Sequence, residues 1–340
     1  MKLTRILLTL IATLLACGAT PILADDLFKA DETVKFTLQA PLAKMRDDRD
    51  KEIKYPATLT HDGKRYNIEV SVRGNKRLQS MTCTNPPLWL DFKKAESKDT
   101  FWDHQKHTKL VVLCRKAKVN YDYLRAEYLV YRMYESIFPV SFKTRWAEAT
   151  YVEEDGTTRT EPAFFIERKQ RLAKRADMKN FDLQHAEYEQ LHDETATLAS
   201  LFNYVVANPD FSLVSAMEGS CCHNAKLMEN DSGELIPVLY DFDSSGILAA
   251  RYAAPNPSLK IKKVTDRIYR GYCFQNEYLD GARTKILGKE AEWMNLINND
   301  PVLGKGYKKK MTKFLNRSNR LIERNATWNS KVVSQCREVT

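Results

Sequence analysis

The sequence has no CxxC pair, no internal repeat and no low-complexity linker, and beyond Ala24 no apolar stretch approaches the roughly 20 residues of a membrane helix. These absences argue against a zinc knuckle, a repeat array and a chain that re-enters the membrane after its first two dozen residues. What stands at the start is a short positive region, Lys2 and Arg5, then an apolar run from Ile6 to Ala16, then small residues up to Ala24. That is the order of a bacterial secretory signal, expected over residues 1–24, and its apolar run is too short to span a bilayer. Cleavage is expected between Ala24 and Asp25, although Leu14-Leu15-Ala16-Cys17 also has the form of a lipobox whose Cys17 would carry a lipid anchor. The expected location is periplasmic or secreted, free or held by lipid alone.

About 315 residues remain, enough for two domains or one domain of two lobes with a substantial core, and a hydrophobic content of 43% fits a globular chain. Without Lys2 and Arg5 the formal charge falls from +9 to about +7. That balance suits anionic partners such as nucleotides, phosphates or membrane surfaces, or simply a basic, solvated exterior; nucleic acid is not among the expected partners. Six cysteines follow the leader, an even number that suggests disulfides in an oxidising compartment. Cys83 and Cys114 flank two strand-like runs and are the preferred bridge. The adjacent Cys221 and Cys222 are expected to seek separate, distant partners.

The first half alternates strand-like runs with turns: Thr33 to Leu38, Tyr66 to Arg73, Leu88 to Phe92 and Lys109 to Cys114. Tyr121 to Phe138 has helical spacing of Leu124, Tyr128, Tyr131 and Ile137, with Pro139 closing it. Arg145 to Val152 and Pro162 to Glu167 then form a hairpin across Glu154-Asp155-Gly156. In the second half, Glu187 to Ala207 is a helix stopped by Asn208-Pro209-Asp210, and Asn224 to Met228 with Leu235 to Tyr240 make a short β pair. From Arg267 the chain is helical and basic, with Lys308-Lys309-Lys310 on a solvated face. The expected architecture is α+β: a strand-rich lobe over 25–167 containing one helix, and a mainly helical lobe over 168–340.

The segment Asn208 to Gly246 concentrates polar residues at element ends. Asp210 follows a helix, His223-Asn224 opens a strand and Tyr240-Asp241-Phe242-Asp243 closes its partner. A hairpin that brings Asn224 and Asp241 to one mouth, with Asp210 nearby, gathers carboxylate and amide oxygens suited to magnesium or manganese held against phosphates. His223 reads as a structural hydrogen-bonder.

This segment resembles the catalytic half of the protein-kinase-like superfamily, and in particular the spore coat protein H (CotH) kinase family. The resemblance implies a bilobal kinase-like fold, with Asp210 accepting the acceptor's hydroxyl proton and Asn224, Asp241 and Asp243 binding metal. It further implies that Arg73-Gly74-Asn75-Lys76 cradles nucleotide phosphates, assisted by Arg77, and that Lys109 touches those phosphates while Glu127 of the following helix holds it. Lys93 is the rival for the lysine, and Arg125 could replace or assist Glu127. Glu167 would lie at the hinge beside an adenine. Only Arg-Gly-Asn and Asp-Phe-Asp match closely. Asp210 and Asn224 are fourteen positions apart, wider than in the ordinary catalytic loop, and Asp-Phe-Asp replaces Asp-Phe-Gly. Either an insertion containing Cys221-Cys222 intervenes, or Asp210 is not the base.

The expected activity is that of an exported kinase moving the γ-phosphoryl of ATP or another nucleotide to a protein or small-molecule hydroxyl with Mg²⁺ or Mn²⁺. A non-catalytic envelope binding or assembly factor on the same fold is the alternative. A metal-dependent glycosyltransferase using Asp241-Phe242-Asp243 is a third, against which the chain shows little parallel α/β patterning.

Overall fold

The computed structural model describes residues 27–216 and 221–339. The leader and the Cys17 lipobox lie outside them. No helix among the described residues is long and apolar enough to cross a membrane.

The chain runs β1 (Val34–Gln39), α1 (Leu42–Asp48), β2 (Tyr55–His61), β3 (Lys64–Val72), β4 (Leu88–Phe92), α2 (Lys94–Ser97), β5 (His107–Val112), α3 (Lys118–Ile137), β6 (Thr144–Val152) and β7 (Thr158–Ile166). These strands close a barrel in the order β1-β2-β3-β4-β5-β7-β6. All neighbours are antiparallel except β1 and β6, whose parallel pairing from Val34–Ala147 to Gln39–Val152 shuts the sheet. Alternation explains the interior: in β3, Tyr66, Ile68 and Val70 are buried while Asn67 and Glu69 face out. Trp102 fills the centre, stacked 5.0 Å from Phe92 and edge-on to Phe165. The expected strand-rich region is thus present, but as a seven-stranded barrel.

The C-terminal part contains α4 (Lys169–Arg175), β8 (Lys179–Asn180), α5 (Asp193–Val206), β9 (Ala225–Glu229), β10 (Leu235–Leu239), α6 (Leu279–Leu287), α7 (Glu290–Asn298), α8 (Lys305–Glu323) and α9 (Asn325–Lys331). β8, β9 and β10 form a small sheet with β9 central. The helix expected from Glu187 begins at Asp193 instead: Tyr188–Gln190 make a separate 3-10 turn, and Leu191 and His192 are held extended by the bridge of Leu191 to Leu235 and by the His192 amide donating to the Leu235 carbonyl. His192 then caps the helix through Thr195, and Asp193 and Glu194 face its positive end.

α3 joins the two parts. Tyr128 and Tyr131 pack on Phe164 of β7, while Tyr131 and Tyr134 contact Phe242 from the other side. One hydrophobic core therefore runs from the outer face of the barrel through α3 into the helical part, and a second fills the barrel.

Cys83 bonds Cys114 and Cys273 bonds Cys336. Cys221 and Cys222 bond each other, which corrects the expectation of distant partners: all four other cysteines of the described chain are already paired.

Candidate functional site

Phe242 is fully buried among Tyr131, Tyr134 and Phe202, with the Tyr131 ring 4.9 Å away. Its burial fixes the chain just past β10, and Asp241 and Asp243 on either side line a cleft of about 610 Å³ between the barrel and the C-terminal part. The Tyr131 hydroxyl accepts the Asp241 amide at 2.9 Å. Across the hairpin, Leu239 pairs with Ala225 and the Tyr240 amide donates to the Asn224 carbonyl. Asn224 and Asp241 therefore sit at one end of the β9–β10 ladder, and both adopt positive φ, 50° and 63°.

Asp210 joins them because two side chains pin its loop through three hydrogen bonds. The Asn224 side-chain amide donates to the Asp210 carbonyl at 2.7 Å, and Arg270 donates to the carbonyls of Pro209 and Phe211. The amide nitrogen of Asn224 being so engaged, its oxygen is the atom left for a cation. The Asp210 carboxylate is hydrogen-bonded by His223 Nε2 and by Asn256 Nδ2, each at 3.1 Å. Its bond to His223 holds Asp210 below the usual carboxylate range and raises His223. Gly246 closes the arrangement from below: its amide donates to Ala207, and a Cβ there would lie 2.6 Å from the Val264 carbonyl.

The opposite wall is cationic. Gly74, at φ +92°, turns the chain after β3, and Asn75 begins a single 3-10 turn over Lys76–Leu78 that sets Lys76 and Arg77 beside Arg73. Lys109 projects from β5 near the rings of Tyr240, Phe142 and Trp89, at 5.0, 5.6 and 5.7 Å. Burial, reinforced by Arg73, brings Lys109 down to about 7. Burial, reinforced by Asp241, brings Asp243 up to about 6. Asp241, Asp243 and Asn224 thus face the basic side chains of Arg73, Lys76 and Lys109 across the cleft.

The lysine–glutamate pair expected from the resemblance is not formed. Glu127 is buried against Arg77 at 3.4 Å, and Arg77 also donates to the Val112 carbonyl. Burial raises Glu127 well above its ordinary range, with Arg77 opposing. Lys109 has no ion pair among the described residues. Arg125 is no substitute, since it pairs with Asp300 at 2.7 Å and stacks on Trp146; Lys93 lies on the outside of the barrel, lining a separate groove. Glu167 does not line the cleft either. It is fully buried, held by Arg171 and Arg175 at 3.2 and 2.9 Å and by the Lys143 amide, so its carboxylate is not available to a nucleotide base. Arg73, Gly74, Asn75, Lys76, Lys109, Glu127, Asp210, Asn224, Asp241 and Asp243 all line the one cleft.

No protein-family model matches the chain, and no curated protein matches it significantly in sequence. Among solved structures it is similar to the Helicobacter pylori proinflammatory kinase CtkA, with a TM-score of 0.39 and 11% identity over 73% of this chain and 91% of that one. At that overlap the similarity is one of partial shape and says nothing of chemistry.

Sequence reasoning missed Lys226, Tyr131 and Arg270. Lys226 lines the cleft from β9, beside Asn224, which precedes the strand. Tyr131 and Arg270 gave no local signal, because each acts on a loop more than fifty residues away. Among the described residues no group of three or more His, Cys, Asp and Glu side chains is arranged to hold a metal ion.

Proposed function

We propose that the cleft binds the phosphates of a nucleotide such as ATP together with Mg²⁺ or Mn²⁺, and that the protein transfers a phosphoryl group to a hydroxyl acceptor. The observation that carries this reading is the single cleft in which Asn224, Asp241 and Asp243 at the hairpin end face Arg73, Lys76 and Lys109. The donor set fits the group. Magnesium commonly takes one or two protein carboxylates and completes its shell with water and phosphate oxygens, so a site without a third acidic ligand is the expected kind. The cations opposite suit phosphate oxygens, and the Gly74 turn supplies backbone donors beside them.

In this reading Arg73, Lys76 and Lys109 hold the phosphates and offset charge as it builds during transfer. Asp210, ionised and oriented by His223 and Asn256, accepts the proton of the acceptor hydroxyl. A groove of about 320 Å³ shares Lys76, Asp210 and Ser244 with the cleft and continues past Pro255 and Ile261, giving the acceptor a route to Asp210. The resemblance to CotH-like kinases points the same way.

A non-catalytic nucleotide-binding role is the second reading, favoured by the pairing of Glu127 with Arg77 rather than Lys109. The two part on Asp210→Ala. Catalysis predicts that the variant keeps nucleotide affinity within about threefold and loses at least about a hundredfold in phosphoryl transfer to acceptor or water. Unchanged turnover would remove Asp210 from the mechanism; no turnover by the unaltered protein with any acceptor would favour the binding role.

A further inference from the structure

α8 carries seven cations and no carboxylate before Glu323. Its apolar side, including Tyr307, Met311, Leu315 and Ile322, is buried. Lys305, Lys309, Lys313, Arg317 and Arg320, followed by Arg324, fall at steps of four or three residues and so share one face along about 28 Å of helix. All six are exposed, and none has a side-chain ion pair among the described residues. Lys308 and Lys310, at the flanks, are instead tethered to the carbonyls of Asn298 and Leu248.

Stability does not account for this stripe. Like charges four apart repel along a helix, and a merely solvated face gains from acidic residues interspersed at that spacing. The first turn holds Lys305 and Lys308, and an acidic neighbour, Asp122 of α3, accepts the Gly304 amide at 2.8 Å.

We propose that the exposed face of α8 docks on an anionic lipid bilayer. The stripe forms a band along the outer surface of one helix, suited to an extended field of phosphates rather than a pocketed partner, and its exposed positions contain no large apolar residue to anchor in a protein groove. Nor does it interleave aromatic residues for stacking on bases; Asn316 is its one exposed amide. Attraction of this kind is additive over lysines and arginines near the surface and is screened by salt. The inference does not depend on the chemistry of the cleft.

The test is co-sedimentation of the purified protein with vesicles of phosphatidylcholine containing about 30% phosphatidylglycerol, at about 50 and 500 mM salt. The expected result is binding at low salt, at least about tenfold weaker at high salt and absent from pure phosphatidylcholine. Lys309→Glu/Arg317→Glu should reduce binding at least about tenfold and melt no lower than the unaltered protein, since it places opposite charges four apart. Lys94→Glu/Lys98→Glu, with the same change of net charge, should bind as before. Equal binding by the α8 variant, binding to uncharged vesicles, or binding to a short DNA duplex without binding to vesicles would each overturn the proposal.

Discussion

Burial on β5 brings Lys109 to about 7, so the lysine is largely neutral at pH 8 in the empty cleft. The sign of its effect on stability follows. Between pH 7 and the ordinary lysine range near 10.5 the unfolded chain holds a proton that the folded chain lacks. Folding is therefore penalised, fully below about pH 7, and the penalty fades as pH rises toward 10.5. Lys109→Met should raise the melting temperature of the ligand-free protein at pH 7 and raise it less at pH 9.5, as measured by thermal unfolding at the two pH values. A phosphate beside Lys109 restores its charge. Calorimetry of nucleotide binding near pH 8, in buffers of different ionisation enthalpy, should then register uptake of up to about one proton that Lys109→Met abolishes. Many residues of the cleft were legible in the sequence because Asp210, Asn224, Asp241 and Asp243 fall at the ends of elements that a β hairpin brings to one mouth. Partners were not legible: Glu127 chose Arg77, and Glu167 was taken by Arg171 and Arg175, through contacts that depend on how elements pack.

At the scale of elements, the turn after Asp243 and the end of α5 approach so closely that residue 246 admits no side chain. The added carbon of Gly246→Ala would meet the Val264 carbonyl at 2.6 Å and the Ala207 Cβ at 2.7 Å. The expected loss is about 1–3 kcal/mol in denaturant unfolding, with weakened ligand binding because Asp210 and Asp243 lie on the two segments forced apart. The Cys83–Cys114 bridge closes a loop of 31 residues across β4 and β5, and opening it with Cys83→Ala/Cys114→Ala should cost about 3–4 kcal/mol. β1, β3, β4 and α3 were readable within two or three residues, as their buried positions follow periods of 2 and 3.6. β2 was missed although Asp62-Gly63 marks its hairpin, since only Tyr55, Leu59 and His61 of its seven residues are buried. The closure of the barrel had no sequence signal, because β1 and β6 meet across more than a hundred residues.

The whole molecule brings the two halves of the site together through α3. Its Tyr128 and Tyr131 rest on the barrel, its Tyr131 and Tyr134 rest on Phe242, and Asp241 is hydrogen-bonded to Tyr131 itself. A cationic wall built by β3 and β5 is thereby set opposite an acidic hairpin end from residues more than a hundred positions later. The decisive measurement is the thermal unfolding of the protein with Mg²⁺ and ATP, alone and together, compared with Asp241→Ala. At a hundred times the dissociation constant, binding contributes about 2.7 kcal/mol, which for a chain of this size corresponds to a rise of about 4 °C. That rise should require metal and nucleotide together and vanish in Asp241→Ala. An unchanged melting temperature with every nucleotide and metal tried, or an equal rise in the variant, would contradict a phosphate-binding cleft.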